Sequence, residues 1–321
     1  MHRLRHVLVL FFVGQMFSPA RGQAPADITR IEDVIYGRKS GVALTLDVFQ
    51  PTKNANGHGI IFMVSGGWFS AHEAINAAFY KPFLDRGYTV FAVVHGSQPK
   101  FTVTEIVPDI HRAVRFIRHN ARKWSVNPDH LGICGASAGG HLSLTMGTQG
   151  CPGKGDAKDP IDRESSAVQA VACFFPPTDF LNYGTPGEDA VGVGILKDFK
   201  VAFGPRSDTP EGRQQLGREI SPIYSINGNL PPTLIVHGDA DKLVPVQQAE
   251  SFVQRQERME YLLSIHNCRQ PRRWFSLRNR ALRFHRGHQA RMPSSRAPLK
   301  ARRLLCHRYC KQQDFRHDPN R

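Results

Sequence analysis

The chain has few cysteines, and their spacing identifies neither a structural zinc site nor a disulfide pairing. Its 321 residues include six cysteines, and no pairing can be deduced from their positions. Cys134 and Cys173 fall in apolar segments, so we interpret them as ordinary core residues. Cys306 and Cys310 lie near histidines but lack the paired ligand spacing of structural zinc sites. We therefore expect neither a metal ion nor a cofactor.

Long apolar runs are also lacking. The most apolar stretch, residues 7–17, is too short to span a bilayer, which takes about 20 residues. It follows the basic residues Arg3 and Arg5 and precedes small residues at 20–22. This order is typical of a secretory signal peptide. We predict a signal peptide over residues 1–22, a secreted or periplasmic protein, and no membrane association after signal removal.

Acidic residues are scarce near the end of the chain. The formal net charge is +15, and residues 269–321 hold 14 arginines and two lysines against two aspartates. The net charge of residues 1–268 is therefore close to zero. Aromatic residues do not alternate with the basic ones as in nucleic-acid binding segments, so we expect no nucleic-acid partner. We predict one folded domain over residues 23–267 and a basic tail over 268–321 that is disordered or frame-shifted.

Apolar segments of strand length alternate with segments of helical periodicity. Strands are predicted at 33–36, 44–49, 60–64, 89–94, 131–134, 167–175, 233–237 and 261–266. Helices are predicted at 75–85, from Pro108 onward, at 142–146 and at 246–260. This alternation indicates an α/β fold with a mostly parallel sheet and helices on both faces. The insert at 176–232 follows a strand at its carboxyl end, so we expect a small cap over the substrate site.

Residues 135–139 read Gly-Ala-Ser-Ala-Gly and join a predicted strand to a predicted helix. Gly-x-Ser-x-Gly in this context is the nucleophile elbow of α/β-hydrolases. Ser137 is the candidate nucleophile, held on a turn that lifts its hydroxyl out of the sheet. Glycines on either side let the strand and the helix approach each other.

A serine nucleophile needs a base, an orienting acid and donors for the oxyanion. Asp241 follows a buried strand where this fold places the acid, and Asp239 is the alternative in the same turn. Gly66 and Gly67 follow the strand at 60–64 and can present backbone N–H groups. The N–H of Ala138 is the third candidate donor.

Together these segments resemble the secreted esterase/lipase family of α/β-hydrolases, which includes acetyl, feruloyl and acetylxylan esterases. The resemblance covers about residues 30–266. It rests on five segments: residues 64–68, the helix from Asp109 to Asn120, residues 127–129, residues 135–142 and residues 237–245. It implies Ser137 as nucleophile, Asp241 as acid, and Gly66, Gly67 and Ala138 as oxyanion donors. The chain has Ser65 where the family usually has histidine.

The catalytic histidine is not identified by the sequence. The resemblance implies a Gly-x-Gly-His-like loop after the last strand, but residues 267–274 contain no histidine. His266, His285 and His288 are the alternatives. A further hypothesis is a shift of the reading frame near Asn267, where the composition changes abruptly, so that the histidine is absent.

These patterns predict a serine esterase that hydrolyses short acyl esters through an acyl-serine intermediate, with impaired activity if the histidine is absent. The resemblance implies a small-molecule or polysaccharide acyl ester as substrate. Three alternatives stay open: a serine peptidase of the prolyl-oligopeptidase type, an inactive binding protein with the same fold, and a protein that binds polyanions through its basic tail. The oligomeric state is not predicted.

Overall fold

The computed structural model describes residues 27–268 and 280–284, with the side chains of residues 27–259. Within these residues, eight strands form one sheet in the order β1-β2-β4-β3-β5-β6-β7-β8. The strands are β1 Ile28–Lys39, β2 Val42–Pro51, β3 Gly59–Val64, β4 Thr89–Val94, β5 Leu131–Ala136, β6 Ala170–Phe174, β7 Thr233–Gly238 and β8 Arg280–Phe284. The pairs β1–β2 and β2–β4 are antiparallel. All the pairs from β4 to β8 are parallel, which confirms the predicted sheet.

The described helices are α1 Lys81–Leu84, α2 Val103–Asn120, α3 Ala138–Gln149, α4 Lys200–Phe203, α5 Pro210–Ile220 and α6 Gln247–Cys268. Helix α2 begins before the predicted Pro108, because Thr102 and Glu105 form a capping box at its start. The helix predicted at 75–85 is a 3-10 turn followed by the single turn of α1. Asn76 accepts a hydrogen bond from the N–H of Ala78 and so starts the 3-10 turn there.

The prediction of a last strand at 261–266 is wrong, because these residues belong to α6. Short apolar runs fit a strand or a buried helix equally well. The sheet is continued instead by β8, where Arg280 pairs with Leu234 and Phe284 with Gly238. His266 is therefore a helical residue and does not follow a strand.

The sheet extends past residue 267, where the sequence placed the end of the domain. The predicted signal peptide at 1–22, the alternatives His285 and His288, and the cysteines at 306 and 310 lie outside the described residues. Their interpretation stays a prediction.

Two clusters of buried side chains hold the sheet between its helices. The larger cluster joins the strands to α2, α3, α6 and the insert at 176–232. The smaller one lies between the sheet and α1, and includes Phe49, Tyr80 and Leu84. Cys134 and Cys173 are buried with free thiols, as predicted for core residues. No helix in the described part of the chain has the length and apolarity needed to cross a membrane.

Candidate active site

The elbow predicted from the sequence is present as a strand, a turn and a helix. Ser137 lies between β5 and α3 with φ 53° and ψ −122°, a backbone conformation that L-residues rarely adopt. Its N–H donates to the carbonyl of Phe174 at 2.9 Å, and its carbonyl accepts from the N–H of His141 at 2.9 Å. The strained residue is thus held from β6 and from α3. Ser137 itself is half-buried at the carboxyl end of the sheet.

The glycines of the elbow are required by close backbone contacts. A Cβ on Gly135 would lie 2.5 Å from the carbonyl oxygen of Gly139. A Cβ on Gly139 would lie 2.7 Å from the oxygen of Met63 and 3.4 Å from that of Ser65. Side chains cannot be accommodated at these distances. The loop after β3 therefore lies directly against the start of α3.

This loop is a two-residue turn with the geometry of a type I′ hairpin. Gly66 and Phe69 exchange two backbone hydrogen bonds of 3.0 and 2.9 Å. The two residues between them, Gly67 and Trp68, have φ values of 54° and 63°. Positive φ at both central positions is what a type I′ turn requires. We call residues 66–69 the oxyanion turn.

The N–H groups of the three predicted oxyanion donors differ in their hydrogen bonding. The N–H of Gly66 donates to the carbonyl of Phe69 at 3.0 Å. Among the described residues, the N–H of Gly67 has no acceptor. Ala138 is the first residue of α3, and the first N–H groups of a helix have no intrahelical acceptor. Gly67 and Ala138 are therefore the donors that remain.

The side chain of Trp68 anchors the oxyanion turn in the core. It is 2% exposed, and its ring packs edge-on or tilted against Phe180, Phe199 and Phe203. Phe199 also covers Gly67, since a Cβ there would lie 2.5 Å from the Phe199 ring. The insert at 176–232 supplies all three phenylalanines, so it packs directly on the turn.

His141, on the first turn of α3, connects these parts. Its Nδ1 accepts a hydrogen bond of 3.2 Å from the indole N–H of Trp68. Its Nε2 lies 2.7 Å from the carbonyl of Ile220 and therefore donates to it. Burial lowers the pKa of His141 to about 4, so the ring is neutral. The sequence analysis did not single out this histidine, although a polar residue in an apolar helix directly after the elbow was a visible signal.

A second buried histidine holds Ser65, the residue that departs from the family pattern. The Ser65 hydroxyl donates to Nε2 of His95 at 2.8 Å, and Nδ1 of His95 donates to the carbonyl of Gly96 at 2.7 Å. Burial lowers the pKa of His95 to about 4. Asp109 accepts from the N–H of Gly96 at 3.1 Å and pairs with Lys39 at 2.9 Å. The start of the oxyanion turn is thereby tied to α2.

Asp241 follows β7 in the turn where an acid was predicted. Its Oδ1 accepts from the N–H groups of Leu243 at 2.9 Å and Val244 at 3.0 Å. Its Oδ2 lies 3.9 Å from Nε2 of His237, which donates instead to the carbonyl of Val244 at 2.7 Å. One carboxylate oxygen is therefore fixed by the backbone, and the side chain is 25% exposed. Asp239, two residues before, is exposed.

Two polar atoms near Asp241 are buried without a hydrogen-bond partner among the described residues. They are the hydroxyl of Tyr183 and Nδ1 of His237. Burial and, to a lesser extent, the Asp241 charge raise the pKa of Tyr183. β7 and β8 are parallel neighbours, and Phe284 at the end of β8 pairs with Gly238, so both strands end at this edge of the sheet.

One group of side chains on the first two strands has the composition of a metal site. Ligand atoms of Glu32, Asp47 and His72 lie within 4.8 Å of one another. Arg30, however, pairs with Asp47 at 2.6 Å. The guanidinium neutralises the buried carboxylate that a cation would need. These residues therefore do not fit a metal site.

The chain is similar to several known proteins. The BD-FAE family profile matches residues 46–255. Esterase LipC of Mycobacterium tuberculosis is 30% identical over 227 residues, which are 69% of this chain and 54% of LipC. An acetylxylan esterase of Xylanibacter ruminicola is 32% identical over 99 residues, 30% of this chain and 20% of that enzyme. The chain thus spans about half the length of LipC.

Solved structures show the same fold. A truncated carbohydrate esterase from gut microbiota superposes with a TM-score of 0.64 at 23% identity, covering 82% of this chain and 90% of that one. The sheet and the elbow are those of the α/β-hydrolase fold. Within that class, the chain belongs to the BD-FAE family.

Proposed function

We propose that this protein is a serine esterase that hydrolyses short-chain carboxylic esters at Ser137. One observation carries the proposal: Ser137 is held in a strained turn between β5 and α3, and the carbonyls of Met63 and Ser65, directly before the oxyanion turn, lie against Gly139 of the elbow. The family and the named activities of similar proteins support the same reaction class. Phe199 covers Gly67 and narrows the space for an acyl chain, which favours small acyl groups.

In the first half of the reaction, the Ser137 hydroxyl attacks the ester carbonyl and gives its proton to a base. The tetrahedral oxyanion accepts hydrogen bonds from the N–H groups of Gly67 and Ala138. The intermediate collapses, the C–O bond to the alcohol breaks, and the base returns the proton to the departing oxygen. In the second half, water attacks the acyl-serine by the same route and releases the carboxylic acid.

We place the base after β8, with Oδ2 of Asp241 as its acceptor. His285 directly follows β8, and His288 comes three residues later. The segment is favoured because β8 ends at the same edge of the sheet as β7, which Asp241 follows. His266 does not fit, because it lies in α6. A frame shift near Asn267, with no base at all, is the opposing hypothesis.

For the substrate, we propose an acyl ester of a small molecule or a polysaccharide. A groove of about 410 Å³ beside the oxyanion turn offers room for the alcohol part of the ester. Its lining combines apolar and polar side chains: Val42, Phe69, Ser97, Gln98, Pro99, Lys100 and Phe101. Phe69 is 52% exposed there, as an aromatic surface for a sugar ring requires. We further propose that residues 1–22 direct the chain to the cell exterior or periplasm.

The proposal is tested by labelling with a fluorophosphonate probe together with hydrolysis of p-nitrophenyl acetate. The wild-type chain should be labelled by the probe and should hydrolyse the ester. Ser137→Ala should do neither. Ser225→Ala is the matched serine control and should behave like the wild type. His285→Gln and His288→Gln identify the base by which of them abolishes labelling. Absence of Ser137-dependent labelling in the wild-type chain contradicts the proposal and favours the inactive form. Turnover of peptidyl amides but not of esters would favour the peptidase.

A further inference from the structure

We propose that His141 is a positioning residue that couples the oxyanion turn to the cap insert. Through Nδ1 it holds Trp68 of the turn, and through Nε2 it holds the end of α5 in the insert. This inference rests on the proposed function, because the turn matters only if Gly67 stabilises an oxyanion. The side chain acts through its neighbours and has no direct role in the reaction.

The hydrogen-bond directions follow from the chemistry of the partners. An indole N–H can only donate, and a backbone carbonyl can only accept. Nδ1 of His141 must therefore be unprotonated and Nε2 must carry the proton. The ring is 0% exposed, and both nitrogens are satisfied in this one tautomer. Protonation or the other tautomer would break the bond to Trp68.

The oxyanion turn needs an anchor of this kind. Trp68 is a bulky residue at a positive φ, where type I′ turns normally have glycine, asparagine or aspartate. Its backbone conformation persists only because the surroundings hold the side chain. The ring contacts limit where the indole lies, and the bond to His141 sets its orientation. That orientation decides where the N–H of the preceding residue, Gly67, points.

The second hydrogen bond of His141, from Nε2 to the carbonyl of Ile220, holds the insert. Ile220 is the last residue of α5, so its carbonyl has no partner within the helix. His141 supplies the missing donor from the opposite side of the site. The next residue, Ser221, accepts from the N–H of Phe180 at 2.9 Å, and Phe180 packs against Trp68 with 5.8 Å between ring centroids. His141 therefore connects the oxyanion turn to the insert through its two hydrogen bonds.

Two substitutions of His141 each remove one of its two hydrogen bonds and keep the other. Asparagine places an acceptor near the position of Nδ1 and has nothing at Nε2, so His141→Asn keeps the bond to Trp68. Glutamine places a donor near Nε2, so His141→Gln keeps the bond to Ile220. Trp68→Phe removes the indole donor and leaves His141 intact. All three variants are first checked for native circular dichroism and cooperative unfolding.

With p-nitrophenyl acetate, His141→Gln and Trp68→Phe should each lower kcat about tenfold, as expected for the loss of one aligned hydrogen bond. Their KM values should change less than threefold. The double variant should be no slower than either single one. His141→Asn should instead raise KM about fivefold, with kcat within threefold of the wild type, because only the insert is released. The proposal is overturned if the decreases of kcat caused by Trp68→Phe and His141→Gln multiply in the double variant. It is also overturned if His141→Asn and His141→Gln lower kcat equally.

A measurement without turnover keeps the inference separate from the proposed function. In ¹⁵N-labelled wild-type protein, the indole resonance absent from Trp68→Phe should show a scalar coupling to Nδ1 of His141 across the N–H···N bond. His141→Gln should speed the solvent exchange of that indole proton at least tenfold. If the coupling is absent and the exchange is unchanged, the proposal fails even if the protein is an esterase. If the coupling is present in a protein without esterase activity, the proposed function fails and the connection between turn and insert stands.

Discussion

The two sides of Ser137 differ in how completely their polar groups are paired. On the oxyanion side, both nitrogens of His95 and both of His141 are hydrogen-bonded. On the acid side, the described residues leave the Tyr183 hydroxyl and Nδ1 of His237 unpaired. Buried polar groups in folded proteins nearly always have a partner. Among the described residues, these polar groups on the oxyanion side are paired, whereas two on the acid side are not.

The proposed base would donate to Oδ2 of Asp241 on the acid side. The proposed oxyanion donors and the proposed acid therefore lie in separate parts of the structure. Each part can be disrupted without the other.

The largest effect is expected on the acid side. Asp241→Asn keeps the shape of the side chain but removes the charge that orients and stabilises a protonated histidine. The value of kcat for p-nitrophenyl acetate should fall by about 10³- to 10⁴-fold. Asp239→Asn, in the same turn, is the control and should stay within threefold of the wild type. If Asp239→Asn lowers kcat more than Asp241→Asn does, the assignment of Asp241 as the acid is wrong.

The next largest effect is expected on the pH dependence of stability, through the buried histidines His95 and His141. His95 and His141 have pKa values of about 4 in the folded protein and 6.5 when unfolded. Between these values the unfolded chain binds more protons, so their stabilisation is complete above pH 6.5 and is lost as the pH falls toward 4. Each can contribute about 3 kcal/mol to this loss.

Urea denaturation at pH 7.5 and 4.5 measures the difference in the free energy of unfolding. His141→Asn should be less stable than the wild type at pH 7.5 and should show a smaller decrease between the two pH values. A decrease as large as that of the wild type would mean that His141 is not buried as a neutral ring.

A smaller effect is expected from Gly67→Ala in the oxyanion turn. The new Cβ would meet the Phe199 ring at 2.5 Å and sit at φ 54°. Displacement of the turn should lower kcat at least tenfold, and the strain should destabilise the fold by about 2 kcal/mol. Gly41→Ala is a matched control, because Gly41 also has a positive φ but nothing lies within 4 Å of its Cβ position. Equal activity losses in both variants would show that backbone strain alone explains the effect.

The smallest effect should come from Tyr183→Phe on the acid side. A buried hydroxyl without a partner contributes no hydrogen bond, so its removal should change the free energy of unfolding by less than about 1 kcal/mol. Thermal unfolding of the full chain provides the measurement. Destabilisation clearly beyond that value would reveal a partner for the hydroxyl and would sharpen the position of the base.

Backbone patterns were the part of the molecule that the sequence predicted well. The strands predicted at 60–64, 89–94 and 233–237 are largely apolar, and the structure confirms them. The Gly-x-Ser-x-Gly turn was predicted because its chemistry requires glycines at fixed positions. The run at 261–266 was placed in a strand because length and hydrophobicity do not separate a strand from a helical segment.

Side-chain contacts between distant residues were the part that could not be predicted. The bond between Trp68 and His141 joins residues 73 positions apart, and no local pattern encodes it. The engagement of the Gly66 N–H also depends on how the chain turns back at Phe69. The substitution of Ser65 was visible, but its partner His95 was known only once β3 and β4 were paired.

The close contacts around the elbow also bear on how substrate preference can diversify. Gly135 and Gly139 face backbone atoms at 2.7 Å or less, so these positions admit almost no exchange. The insert is less constrained: Ile195 and Val201 are 38% and 50% exposed, close in sequence to the ring that covers Gly67. Laboratory evolution toward larger acyl groups should therefore accumulate its changes in residues 195–201 and leave the elbow untouched.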